Sequence, residues 1–123
     1  MHKCLTYFLI DSEQMIDTNE ILQTLKLSVV NVSNITDKKI EIGRCEEYDV
    51  NINNMIRNTI KELLGKEEIL LELKDKYNLK YYLSKVLVLD DLCDDPTPIL
   101  GLEADVVEFL YKTKTIDDLD YYL

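Results

Sequence analysis

Residues 4–10, CLTYFLI, decide the fold class, because β-branched and aromatic side chains are frequent there and successive positions are apolar. Such a run predicts a strand that is buried on both faces, near the middle of a sheet. Residues 80–89, KYYLSKVLVL, are a second run of this kind. In residues 39–48 and 118–123 apolar and polar side chains alternate, which predicts two further strands covered on one face.

Between these strands the apolar period changes to that of a helix. Asp17 can cap the first helix, and Glu20, three residues later, completes a capping box. Gly65 is a candidate C′ residue for a second helix, and Asn78 can end a third. Three later segments follow helical spacing: residues 52–64, 69–77 and 102–110.

The predicted order of elements is therefore β-α-β-α-α-β-α-β, within one α+β domain that spans residues 1–123. We expect a single antiparallel or mixed sheet of four strands, with the helices on one face. Residues 28–37 are extended, and their pattern predicts no definite element.

The charge of the chain favours some partners and disfavours others. Its 24 acidic and 14 basic residues give a formal net charge of −10. Such a surface repels nucleic-acid phosphates and anionic membranes, whereas it attracts a basic protein. The apolar run near the N-terminus is too short to span a membrane. Three cysteines in a chain of 123 residues, an odd number with no paired spacing, predict reduced thiols and a cytoplasmic location.

No catalytic, cofactor or metal residues are assigned from the sequence. His2, the single histidine, stands at a terminus that we expect to be frayed. Cys4 and Cys45 are flanked by strand residues, while the carboxylates around Cys93 should raise the pKa of its thiol and make it a poorer nucleophile. The chain contains none of the common phosphate-binding, nucleophile-elbow or metalloprotease motifs.

Much of the chain resembles a bacterial family known as domain of unknown function 4279. The resemblance is carried by a helix that ends in a Lys-x-Lys-Tyr-like segment, a strand, a proline-bearing loop, a helix with Phe-Leu, and an acidic-aromatic last strand. The matching positions are Lys74, Tyr77, Leu79, Pro98, Phe109, Leu110, Asp118, Asp120 and Tyr121. The resemblance implies a small α+β domain and no catalytic residue. Some small bacterial families of this sort look like immunity proteins, which implies a class of function only by analogy.

Two acidic clusters are the candidate partner-binding residues. The first lies in a proline-bearing loop and contains Asp90, Asp91, Asp94 and Asp95; the second lies in the last strand and contains Asp118, Asp120 and Tyr122. Aspartates would attract a basic partner, and exposed tyrosines are enriched at protein interfaces. The loop cluster lacks the glycine and the terminal glutamate of a calcium loop, so we expect solvated carboxylates rather than a cation site.

These observations predict a non-enzymatic protein-binding module, of the immunity or antitoxin kind, that faces a basic partner. The alternative is a domain that binds a small molecule or a divalent metal through a site the sequence does not reveal. A third interpretation is a structural subunit that forms a homodimer through a sheet edge. A deep pocket lined by polar groups would favour the small-molecule interpretation, and an acidic-aromatic patch would favour protein binding.

Overall fold

The computed structural model describes residues 2–48, 51–89 and 102–122. It confirms the α+β class and the predicted order of elements, with one short strand added. The five strands are β1 Lys3–Asp11, β2 Val32–Ser33, β3 Lys39–Tyr48, β4 Lys80–Val88 and β5 Ile116–Tyr122. The α-helices of the described residues are α1 Thr18–Leu25, α2 Ile52–Ile60, α3 Glu67–Tyr77 and α4 Ala104–Thr113, and a 3-10 turn covers Val29–Asn31.

The sheet is mixed and its strand order is β2-β3-β1-β4-β5. β1 is antiparallel to both β3 and β4, whereas β5 is parallel to β4. The connection between β4 and β5 contains α4 and brings the chain back to the other end of the sheet, which a parallel pair of strands requires. The prediction of four strands was wrong by one: β2 has only two residues, Val32 and Ser33, and pairs with Ile42 and Glu41 of β3. Two residues are too few to produce a recognisable alternation.

The hydrophobic core lies between the sheet and the helices. In β1 the side chains of Cys4, Phe8 and Ile10 point towards the helices and are fully buried. The ring of Phe8 is 5.4 Å from that of Tyr81 in β4 and 6.2 Å from that of Phe109 in α4, measured between centroids. These three aromatic rings join the centre of the sheet to the last helix.

Tyr81 is buried in this core with its polar atom satisfied. Its hydroxyl donates a 2.6 Å hydrogen bond to the main-chain oxygen of Leu70 in α3, and burial raises the pKa of the phenol. A buried hydroxyl without a partner would be costly, so this bond sets how α3 lies on β4.

The helices of the described residues cover one face of β1. Leu5, Tyr7 and Leu9 point to the other face and are half-buried, in strict alternation with the fully buried positions. The central position of β1 is confirmed, but its burial on both faces under packed elements was expected and is not found for the described residues. We call this second surface of the sheet the open face.

A bulge in β3 lets α2 approach the sheet closely. Gly43 and Arg44 both lie opposite Tyr7 of β1, where the register shifts. Gly43 has a φ of +67°, and a Cβ built on it would lie 2.1 Å from the main-chain oxygen of Thr59 in α2. This position therefore requires glycine both for its torsion angle and for the space.

A short hydrogen-bond chain closes the contact between α2 and the sheet. The buried hydroxyl of Thr59 donates to the main-chain oxygen of Gly43 at 2.8 Å and lies 2.7 Å from the hydroxyl of Thr6 in β1. Both threonines are fully buried. Because each hydroxyl has a partner, their burial leaves no polar atom unsatisfied there.

The predicted helix ends agree with the structure at two of three positions. The carboxylate of Asp17 accepts a hydrogen bond from the main-chain N–H of Glu20 at 3.1 Å, and Asn78 ends α3 in the left-handed conformation. Gly65 has the positive φ of +85° expected of a C′ residue, but regular α2 ends at Ile60 and a turn fills residues 61–65.

The expectation of a frayed terminus around His2 was wrong. His2 is 5% exposed, since it lies directly before β1 in the middle of the sheet. Among the described residues, no helix combines the length and the apolar character that a bilayer crossing requires.

Candidate protein-binding surface

The structure gives the position of one of the two predicted acidic clusters. Asp118, Asp120 and Tyr122 are exposed residues of β5 and alternate along it, so their side chains share the open face. The other predicted cluster lies outside the described residues: Asp90, Asp91, Asp94 and Asp95.

Asp117, next to this cluster in sequence, points the other way. Its carboxylate pairs with the ammonium of Lys85 in β4 at 2.7 Å, and Lys85 is only 3% exposed. The pair lies on the helix-covered face, and its distance is that of a charge-assisted hydrogen bond. Lys85 was missed because it stands inside an apolar run, and only the register of β4 and β5 shows its partner.

The centre of the open face is aromatic and aliphatic. Its exposed members include Tyr48, Val88, Ile116 and Tyr122, each between 38% and 55% exposed. These four residues lie at the margins of a half-buried apolar strip, which consists of Leu5, Tyr7, Leu9, Tyr82 and Val86. Single exposed apolar residues are ordinary, so it is the grouping of these side chains on the adjacent strands β1 and β4, with the buried Ser84 between Tyr82 and Val86, that marks a candidate binding surface.

On the β3 side of the open face the charged groups neutralise one another. The Lys3 ammonium lies 2.6 Å from the carboxylate of Glu46, and that hydrogen bond lowers the pKa of Glu46. The Arg44 guanidinium lies 3.1 Å from the carboxylate of Glu41 and 5.8 Å from the ring centroid of Tyr7. Lys3 and Arg44 therefore each have an acidic partner on this side.

On the β5 side the carboxylates are not neutralised. Asp118 and Asp120 form no ion pair with any residue in the described ranges, although both are exposed. The open face is therefore asymmetric: its β3 side is close to neutral and its β5 side is negative. A partner that covers the apolar strip would meet this negative border.

Sequence reasoning found the acidic border of this surface but missed its apolar centre. Leu5, Tyr7 and Leu9 were interpreted as core because their run is continuous. A signal was present in the neighbouring strand: Glu41 and Glu46 lie beside Leu9 and Leu5 on the same face, and a face that carries glutamates is not a packed core.

The described residues contain a second candidate site, one for a small molecule. A groove of about 750 Å³ lies between α4 and the start of β5, lined mainly by Leu102, Val107, Leu110 and Tyr111, with Lys112 and Lys114 at its margin. No group of three or more histidine, cysteine or acidic side chains within the described residues is placed to hold a metal ion. The groove has an apolar wall with polar groups at one margin, a composition that small-molecule sites also have, but its wall residues Val107 and Tyr111 are exposed.

Comparison with known proteins adds no relative: no protein-family model, curated protein or solved structure matches the chain. The resemblance to domain of unknown function 4279 stays a prediction. The candidate surface accordingly rests on the geometry and the charge described above.

Proposed function

We propose that this chain is a non-enzymatic protein-binding domain of the immunity or antitoxin kind, and that it takes a basic partner on the β5 side of the open face. One observation carries the proposal: an aromatic-aliphatic strip that no described helix covers is bordered by Asp118 and Asp120, whose carboxylates form no ion pair within the described residues. The partner is defined by its chemistry, a protein surface rich in lysine or arginine with apolar side chains beside them.

The apolar strip would supply most of the affinity. Tyrosines are enriched in interfaces because a rigid ring buries a large area while its hydroxyl keeps a hydrogen bond. Tyr48, Tyr82 and Tyr122 belong to the open face and offer three such rings. Burial of their apolar area is the main favourable term in such an association.

The negative border would raise the rate of association and the selectivity for a basic partner. Complementary charge raises the association rate by steering encounter, and like charge disfavours the wrong partners. The net charge of −10 attracts a basic partner from a distance, and Asp118 and Asp120 set which side of the open face it meets.

A small-molecule function has the groove beside α4 in its favour. Val107 and Tyr111 in its wall are 49% and 84% exposed, so an apolar compound could cover them. We place protein binding first because the open face unites apolar area with a directed charge, whereas the wall of the groove is itself largely exposed and would leave much of a small ligand in contact with water.

The proposal predicts a specific loss of association rate. Asp118→Asn combined with Asp120→Asn should lower the rate constant for binding a basic partner several-fold at low ionic strength, because two steering charges are lost. The difference should shrink as salt is added, since the Debye length falls to about 8 Å at physiological ionic strength. The partner is first isolated with the tagged full-length protein, and the rates are then measured by stopped flow at several salt concentrations.

The matched control removes two carboxylates from the other side of the molecule. Glu68 and Glu72 are exposed residues of α3, in the helix layer, so Glu68→Gln with Glu72→Gln changes the net charge equally but leaves the open face intact. We expect this control to lower the rate constant less than the aspartate variant. If both variants have the same rate constants and salt slopes, the open face is not the docking surface.

A further inference from the structure

Within the described residues β5 is the outermost strand of the sheet, and the directions of its main-chain groups follow from its pairing with β4. The N–H of Leu89, just beyond β4, donates to the main-chain oxygen of Tyr122 at 2.8 Å, so the peptide groups of Tyr122 face β4. Because successive residues of a strand direct their N–H and C=O groups to opposite sides, those of Asp117, Leu119 and Tyr121 point outward.

These outward groups lie on an accessible edge. Every residue of β5 except Leu119 is exposed, and no described residue pairs with the strand on its outer side. At the opposite edge β2 has only two residues, and the bulge at Gly43 interrupts the regular edge of β3 beside it. β5, with seven residues, is long enough to template another strand.

We propose that the outer edge of β5 receives an extended, lysine- or arginine-rich segment of a partner protein as an additional strand of the sheet. This inference rests on the proposed function and names how the basic partner binds. The main-chain groups of Asp117, Leu119 and Tyr121 give it hydrogen bonds, and side chains at alternate positions give it selectivity.

The charge of β5 selects a basic strand. Asp118 and Asp120 are two residues apart on the open face, so a strand beside β5 would place its own alternate side chains next to them. Opposite charges in such cross-strand positions stabilise the pairing, and acidic residues there would repel. Lysine or arginine at every second position is the pattern that fits.

The same aspartates disfavour a second copy of this chain. Antiparallel self-pairing has its longest overlap when it is centred on Asp118, Leu119 or Asp120. When the pairing is centred on Asp118, this residue lies opposite Asp118 of the other copy. When it is centred on Leu119, Asp118 lies opposite Asp120, and when it is centred on Asp120, the two Asp120 residues lie opposite each other. Like charges in direct opposition are destabilising, which is how natural sheet edges avoid self-association.

Amide hydrogen exchange tests the position of the added strand. The probe is an end-capped peptide of about eight residues in which lysine alternates with threonine, and the control peptide has glutamate in place of lysine. On addition of the lysine peptide, exchange at Asp117, Leu119 and Tyr121 should slow by about tenfold or more, as expected for newly hydrogen-bonded amides. The amides of Asp118 and Asp120, which already face β4, should change little.

A backbone variant tests the hydrogen bonds themselves. Tyr121 is 53% exposed and its N–H points outward, so Tyr121→Pro removes one outward donor at the kind of edge position where proline is tolerated. Tyr121→Ala removes the same ring and keeps the N–H. We expect the proline variant to bind the lysine peptide about fivefold or more weakly than the alanine variant, the loss of one hydrogen bond.

The possible results separate this inference from the proposed function. Slowed exchange in the alternating pattern supports an added strand, even if Tyr121→Pro does not fold. Shifts confined to open-face side chains such as Tyr82 and Val86, with no slowing at Leu119, would overturn the added strand and leave the open face as a docking surface. No saturable binding of the lysine peptide, equal binding of the glutamate peptide, or a stable homodimer that blocks the edge would also overturn it.

Discussion

Gly43 shows how one residue without a side chain positions an entire helix. It has a φ of +67° in the bulge of β3, and a Cβ there would meet the main-chain oxygen of Thr59 at 2.1 Å. That oxygen belongs to the backbone of α2, so it cannot swing away as the end of a flexible side chain could. We expect Gly43→Ala to destabilise the fold by about 2 kcal/mol or more, through backbone strain and overpacking together. Urea denaturation followed by circular dichroism measures the change.

Gly65 provides the matched control for the packing part of this effect. It also has a positive φ, +85°, but a Cβ built on it has no atom within 4 Å. Gly65→Ala should therefore cost only the left-handed strain, about 1 kcal/mol. Equal losses for the two variants would mean that the contact with Thr59 contributes nothing beyond the torsion angle.

At the scale of elements, the sequence predicted what local chemistry determines. Asp17 and Asn78 were found as helix ends because capping and left-handed termini have short-range signatures. The bulge at Gly43 was not predicted, because it depends on α2, whose Thr59 is 16 residues away. β2 was missed since two residues carry no period, and the pair of Lys85 with Asp117 depends on a register that only the sheet defines.

One arginine links α2 to the start of α4. The guanidinium of Arg57 donates to the carboxylates of Glu103 and Asp105, with bonds from 2.7 to 3.1 Å. These hydrogen bonds raise the pKa of Arg57 and lower those of Glu103 and Asp105. The cluster joins the middle of α2 to the start of α4, two elements that are far apart in sequence.

The pKa shifts give this cluster a pH dependence with a definite sign. Because the pKa values of Glu103 and Asp105 are lower in the folded state, their contribution is present at neutral pH and is lost as the pH falls through those values. Arg57→Ala should therefore lower the urea midpoint at neutral pH, and the difference from wild type should shrink as the pH falls through the lowered pKa values of the two carboxyls and vanish once both are protonated.

The control for this experiment is a pair within one helix. Lys112 pairs with Glu108 at 2.9 Å along α4, so Lys112→Ala removes a cation without separating two elements. We expect a smaller change in the midpoint, as is typical of an exposed pair of this spacing. A difference for Arg57→Ala that persists unchanged into acid would show that it acts through packing of its side chain and not through the two carboxylates.

At the scale of the whole molecule, all described helices lie on one side of the sheet, and that division separates core from candidate surface. The one-sided layer was predicted from the change of apolar period, but which face of β1 it covers was not. Contacts with other elements decide which face of β1 is buried: Phe8 packs against Phe109 of α4, whereas Leu9 lies beside Glu41 of β3. The candidate site could be predicted only at its acidic border for the same reason, since an apolar strip looks like core until its neighbours are known.

The charge of the whole molecule has a consequence for stability. Fourteen basic residues can neutralise at most fourteen of the 24 acidic ones, so ten negative charges repel one another in the compact state. Salt screens this repulsion and also weakens exposed ion pairs, but each such pair contributes only about 0–1 kcal/mol.

We therefore expect the urea midpoint to rise as sodium chloride is increased from about 0.02 M to about 0.3 M and then to level off, because the Debye length is by then shorter than the spacing of most surface charges. Asp118→Asn with Asp120→Asn, which removes two unpaired negative charges, should raise the midpoint at the lowest salt and make the rise smaller. A midpoint that falls over this range would show that the ion pairs of Arg57, Lys3 and Lys85 outweigh the general repulsion, and one that keeps rising linearly to high salt would point to exclusion of the salt from the protein surface instead of screening.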